Sequence, residues 1–323
     1  MKKNQFSYGI YVLVLVLLCS LLSGCFGNET ADLKVQSQES TIQDTTSQDI
    51  TSQESMDQVV QSSQLQNNAS ESSYEESQET EEQLQEEIGS IKFEVQPGMY
   101  LTEILTALVD AGWGESVEYI LEQLEQMDRK PFAYWNQIPN AEERAFAAEG
   151  YIAPGLYEWK EDATLQEVLT KLLGSWDGLL TAEMQQQAES QGYSVDEILI
   201  MASIVEWESS FDPYNVVKPN VAAVVRNRIE SETPLQMDVT IFYLQDSLEP
   251  YRSPQQYEVD YDTYIRDGLP AGPIGSPSMD SIRAVLAPAD TADLFFVYDD
   301  VGNYYFAEDY DQHLINCELA GIY

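Results

Sequence analysis

Residues 194–210 read SVDEILIMASIVEWESS, and the elements on either side are arranged around this stretch. Ser194-Val195-Asp196-Glu197 has the Ser-x-x-Glu form of a capping box, in which hydroxyl and carboxylate each satisfy a free N–H at a helix start. From Ile198 to Val205 the run is almost unbroken apolar. The pattern predicts a capped apolar helix that ends abruptly in a carboxylate, Glu206. An ionised carboxylate taken out of water costs several kcal/mol unless it is paired or neutralised. Two readings follow: Glu206 points into solvent at the helix end, or it is a catalytic acid whose pKa burial raises. Glu206 shares a helix face with Leu199, Ala202 and Ser203, while Glu208 lies about 200° around the axis. The two carboxylates therefore cannot line one cleft as a glycosidase pair does. Any sugar chemistry runs on one of them, and helix geometry leaves Glu208 a structural role.

Outward from this helix the start signals continue. Thr164-Leu165-Gln166-Glu167 is another capping box, opening a helix that ends near Gly174, and Thr181 starts a helix to about Gln191. Residues 218–230 (KPNVAAVVRNRIE) carry Pro219 in a first helical turn. Upstream, IKFEV from Ile91 alternates like a half-buried strand, and Leu101, Ile104, Leu105, Leu108 and Val109 follow at helical spacing before Gly112. A second helix is expected over about 115–127. Downstream, residues 294–298 and 304–306 flank DDVGN as a hairpin, and a helix around 309–318 follows. The class expected is α+β: a small α/β N-terminal module over 91–150, then a mixed α+β domain over 151–323 with a C-terminal β-hairpin and helix.

The 323-residue chain carries a formal charge of -41, from 56 acidic and 15 basic residues. Nucleic acid is excluded as a partner, because phosphates need Lys and Arg to displace their counterions. Met1-Lys2-Lys3 and the apolar run from Tyr8 to Leu22 form a signal peptide over 1–24, too short for a membrane span of about 20 residues. The run ends in Leu22-Ser23-Gly24-Cys25, which resembles the lipobox of bacterial lipoproteins. Cys25 is the expected lipidation site. Residues 25–90 are rich in Ser, Gln and Glu and poor in aromatics, a composition expected to form a disordered acidic tether. Cys19 leaves with the signal and Cys25 is modified, so Cys317 stands alone and no intramolecular disulfide is expected. His313 is the only histidine, which rules out a His-based triad or a His-rich metal site. No metal or cofactor is expected.

Motif order adds a resemblance. MASIVEWES, VAAVVRNRI, PLQMDVTIFY, YDTYIRDGLPAGPIGSP and LAPADTADLFFV appear in one series, with AAEGYIAPGLYEW (147–159) upstream. The series resembles the endolytic murein transglycosylase family (MltG-like, or YceG-like) over about 91–320. That resemblance implies cleavage of the MurNAc–GlcNAc bond inside peptidoglycan strands without water, leaving 1,6-anhydro-MurNAc ends. It places Glu206 at the catalytic position, as an acid that then acts as a base. It also implies that 151–323 is the catalytic domain. Gln236, Asp238, Thr240, Tyr264 and Asn227 are the candidate substrate-binding residues, and Trp207 stands where the family has Lys. The expected partners are peptidoglycan strands, the membrane through the anchor at Cys25, and cell-wall synthases or division machinery. The expected location is outside the cell, tethered to the membrane and facing the wall. A non-catalytic wall-binding lipoprotein on the same fold is the alternative.

Overall fold

The computed structural model describes residues 89–212, 214 and 216–322. The signal peptide at 1–24, the lipidation at Cys25 and all but the end of the tether lie outside the described residues. Strand β1 (Ser90–Val95) leads into helices α1 (Leu101–Asp110) and α2 (Val117–Gln126), then strand β2 (Gly155–Lys160). Helices α3 (Leu165–Leu173), α4 (Ala182–Ser190), α5 (Val195–Glu208), α6 (Lys218–Glu230) and α7 (Asp238–Ser247) follow. After them come α8 (Pro254–Tyr261), α9 (Met279–Leu286), a hairpin of β3 (Phe295–Tyr298) and β4 (Tyr304–Ala307), and α10 (Tyr310–Leu319). This is the expected mixed α+β class, with its C-terminal hairpin and helix.

The capping residues act as their spacing predicts. Ser194 Oγ accepts from the Glu197 amide at 3.2 Å while the Glu197 carboxylate accepts from the Ser194 amide at 2.8 Å. Thr164 and Glu167 make the same exchange at the head of α3, and Thr181 Oγ1 accepts from Met184 at the head of α4. Between its ends α5 is buried all round, with every residue from Ile198 to Val205 at 3% exposure or less. A helix apolar on every face can only be central, and α4, α6, α7 and α9 pack against it. Each Ile, Leu, Met or Val buried this way contributes about 1.5–3 kcal/mol.

β1 and β2 pair antiparallel, from Ser90 opposite Lys160 to Val95 opposite Gly155. Their alternation turns Phe93, Val95, Tyr157 and Trp159 inward, where Trp159 stacks on Tyr157 and meets Phe93 and Trp113 edge-on. This ladder crosses position 150, so the 91–150 and 151–323 segments share one sheet and one apolar core. β2, α8 and α9 are not among the elements expected from the sequence, although β2 alternates and Ser278 caps α9. Their order comes from contacts distant in the chain.

Two devices fix the position of α5. In its first turn Asp196 accepts from Arg144 Nη2 at 2.6 Å and from the Tyr151 hydroxyl at 2.5 Å, a buried pair at the electropositive end of the helix. Further along, Ser203 Oγ accepts from the Ile274 amide at 3.0 Å, which holds the Pro- and Gly-rich loop 270–278 against the helix. The same loop exchanges Ser276 N–H to Met99 and Gly98 N–H to Ser276. It also presses Pro273 onto Gly150, where any Cβ would come within 2.3 Å of the proline ring.

Arg144→Met leaves Asp196 buried without its cation. We expect a loss of about 3–5 kcal/mol of stability, read as a lower midpoint in urea unfolding with an unchanged slope.

Candidate active site

The last turn of α5 carries two carboxylates into two different environments. Glu206 faces the starts of α6 and α9. One of its oxygens, Oε2, accepts from Lys218 Nζ at 2.8 Å, from the Ser278 amide at 2.9 Å and from Ser281 Oγ at 2.6 Å, and also from Ser278 Oγ. Lys218 Nζ donates onward to Ser278 and Ser281. The ion pair is nearly closed to water, its side chains 3% and 13% exposed. Burial is the largest single influence on Glu206 and by itself raises the pKa. The hydrogen bonds from Lys218, Ser278 and Ser281, with the Lys218 charge, together outweigh it and hold the carboxyl below its ordinary value. The expectation that burial raises the pKa of Glu206 is thus corrected. The physical reason is a cation twelve residues downstream, and a group so engaged holds no proton to donate at neutral pH.

Glu208 lies on the opposite side of the helix, and its side chain meets the start of α7. It is 8% exposed. Burial first, then the charge of Asp238, pushes its pKa up to about 8, against the opposing pull of the Val239 amide and of Arg228. The charge of Glu208 is felt in turn by Tyr264, Tyr298 and Tyr304. Asp238 is oriented by the Tyr264 hydroxyl, which donates to it at 2.6 Å. Tyr304 donates to the Glu208 carbonyl at 2.8 Å, which ties the hairpin to the end of α5. Arg228 is anchored by the carbonyls of Leu294 at 2.6 Å and Leu235 at 2.7 Å, joining α6, the hairpin and the loop before α7. Glu208, expected to be structural, thus stands buried among an acid, an arginine and three tyrosines, with its pKa raised.

The predicted substrate-binding residues divide. Gln236, Asp238 and Tyr264 gather on the Glu208 side. Gln236 is exposed, with its amide on the Thr263 carbonyl and a φ of 51°, a strained conformation for a side-chain-bearing residue that costs about 1–3 kcal/mol. Tyr264 is 46% exposed. Thr240 does not join them: it is fully buried, donates to the Met237 carbonyl and meets the equally buried Thr263. Asn227 is also corrected, because its amide donates to the carbonyls of Thr291 and Asp293, both at 2.9 Å, and pins that loop. Trp207 stacks on Tyr100 at 5.0 Å and belongs to the core. Glu149 caps α1 by accepting from the Leu101 amide. His313 stacks on Phe295.

A cavity of about 390 Å³ lies beside Lys218, lined also by Tyr214, Asp280 and Arg283. The charges around it are paired, Lys218 with Glu206 and Arg283 with Asp280. Among the described residues no cluster of His, Cys, Asp and Glu could hold a metal ion, and no helix is long and apolar enough to cross a membrane. Arg228 and Tyr298, whose electrostatics couple to Glu208, are not singled out by the sequence. One signal does bear on the choice between the carboxylates: Lys218 is the only lysine after Lys171, and it opens an otherwise apolar helix start.

Residues 40–318 match the model of the YceG-like family. Curated relatives named endolytic murein transglycosylase include those of Streptococcus pneumoniae, 29% identical over 176 residues, which is 52% of this chain and 31% of theirs. The relative of that name from Bacillus subtilis is 25% identical over 233 residues, 69% of this chain and 63% of its own. The match thus spans about a third of the pneumococcal proteins and under two thirds of the Bacillus one. A crystal structure of a YceG-like protein from Listeria monocytogenes has the same fold, with a TM-score of 0.60 and 23% identity over 74% of this chain and 80% of that one.

The folded protein keeps the Glu208 proton to about pH 8, whereas the unfolded chain releases it near the ordinary carboxylate value. Stability is therefore lost as pH rises between the two. Glu208→Gln removes that loss, and its melting temperature relative to wild type rises more at about pH 8 than at about pH 5, as calorimetry will show.

Proposed function

The chain belongs to the YceG-like family, and on that premise we propose that it is a lytic transglycosylase. Its substrate is the MurNAc–GlcNAc bond inside peptidoglycan strands, and Glu208 is its acid and base. The observation that carries the reading is geometric: Glu208 ends α5 against the Asp238 end of α7, beside the exposed Gln236 and Tyr264, whereas Glu149, its pKa raised likewise to about 8, is spent on capping α1. A carboxyl with that pKa is protonated at neutral pH, yet close enough to its pKa to return as a base.

The reaction follows from that one group. Glu208 gives its proton to the glycosidic oxygen, the bond from that oxygen to MurNAc C1 breaks, and positive charge grows at C1. Asp238, held by Tyr264, supplies the negative charge that steadies it. The C6 hydroxyl of the same sugar then attacks C1 while its proton passes to the Glu208 carboxylate. One C–O bond is lost, another closes the 1,6-anhydro ring, and the proton is restored to Glu208. No water is consumed, so no second carboxylate is needed to activate one. Gln236 and Tyr264 are the proposed hydrogen-bonding contacts to the glycan.

The lipobox at Leu22-Ser23-Gly24-Cys25 supports export and anchoring through Cys25, with the acidic segment after it as the tether. In cell fractionation, Cys25→Ser moves the protein out of the membrane fraction.

With purified peptidoglycan, wild type releases anhydro-MurNAc-ended fragments detectable by mass spectrometry. Glu208→Gln lowers that release by about a thousandfold or more, the scale on which a catalytic acid acts. Glu206→Gln keeps the product pattern but destabilises the fold by about 3–5 kcal/mol, because Lys218 is left buried without its anion. The reverse ranking returns the chemistry to Glu206. No products from wild type would sink the enzyme reading in favour of a wall-binding scaffold.

A further inference from the structure

Phe211 follows the Glu208 site by one turn of chain and is 40% exposed, yet it is held rigidly. Its ring stacks on Tyr298 of β3 with centroids 4.8 Å apart and planes 27° from parallel. Tyr298 in turn packs at 5.2 Å on Tyr304, the residue whose hydroxyl grips the Glu208 carbonyl. The backbone below is equally constrained. The hairpin turn brings Gly302 so close that any Cβ there would lie 2.8 Å from the Phe211 carbonyl oxygen. Asp212 locks the next loop by accepting from the Tyr214 and Val217 amides. A single exposed aromatic needs no explanation. An exposed ring stacked on a half-buried tyrosine that a hairpin braces, and that Tyr304 joins to the proposed acid, does need one.

We propose that Phe211 and Tyr298 form a stacking platform that binds a pyranose ring of the glycan strand next to the bond under attack. The proposal rests on Glu208 being the acid of the reaction above. A β-linked aminosugar carries its large substituents equatorially, so each ring face presents axial C–H groups and is apolar. Such a face packs on an aromatic ring by dispersion and C–H contacts, without requiring a polar partner. Tyr298 packs on Tyr304, whose hydroxyl donates to the Glu208 carbonyl, so the platform stands at the same end of α5 as the proposed acid. Fixing the neighbouring ring restrains the strand along its axis, and thereby aims one glycosidic oxygen at Glu208.

The test uses the full chain with Glu208→Gln, so that strands bind without being cut, and glycan strands stripped of stem peptides as the probe. By titration calorimetry, adding Phe211→Ala weakens binding about tenfold, whereas Phe211→Trp stays within about twofold because the ring face is restored. With Glu208 present, Phe211→Ala raises KM by a similar factor and leaves kcat within about threefold. Equal binding by the Ala and Phe forms overturns the platform, as does failure of Trp to restore it or absence of strand binding altogether. If wild type yields no anhydro products but Phe211→Ala still loses strand binding, the transglycosylase reading fails, and the rings bind glycan without serving a bond under attack, which overturns the platform's place in the reaction.

Discussion

Glu206 Oε2 is the acceptor on which the arrangement depends. It draws the start of α6, through Lys218, and the start of α9, through Ser278 and Ser281, onto the end of the central helix. An apolar helix as long as α5 has to reach polar ground somewhere. Here it does so inside the protein, where a buried cation and three hydroxyl or amide donors substitute for water. Because the pair is nearly closed to solvent, its attraction is little screened, and either partner alone would be a buried charge.

Once Glu206 is neutralised in this way, the helix can carry a second carboxyl on its other side in a different state. Glu208 has no lysine. It has Asp238 nearby and the start of α7 in front, and burial together with that like charge keeps it protonated. Two carboxyls two residues apart are thus driven in opposite directions by environment alone. The hairpin contributes to the same end. Tyr304 ties it to the Glu208 carbonyl, and Arg228 fastens the hairpin to the loop that presents Gln236 and Asp238.

Much of this is legible residue by residue. The capping boxes at Ser194 and Thr164, the alternation of β1 and the hairpin around DDVGN express local rules, and local rules act over a few residues. Gln236, Asp238 and Tyr264, expected from the order of motifs, lie on the Glu208 side of α5. Thr240 and Asn227 carry the same polar signal, but their side chains satisfy carbonyls of their own fold. Nothing in composition separates a hydroxyl that faces solvent from one that closes a turn. β2 and α9 have local signals of their own, alternation and the Ser278 cap, but their place in the fold is set by partners about sixty or more residues away.

By itself the sequence determined that residues 194–208 form a capped, buried helix, and that its two terminal carboxylates lie on opposite sides. Periodicity and capping are properties of the chain at short range, and helix geometry converts them directly into faces. Which of the two carboxylates keeps a proton was decided only by tertiary structure. A pKa depends on what stands within a few ångströms, and Lys218, Ser278 and Asp238 reach those positions only when α6, α7 and α9 have packed around α5.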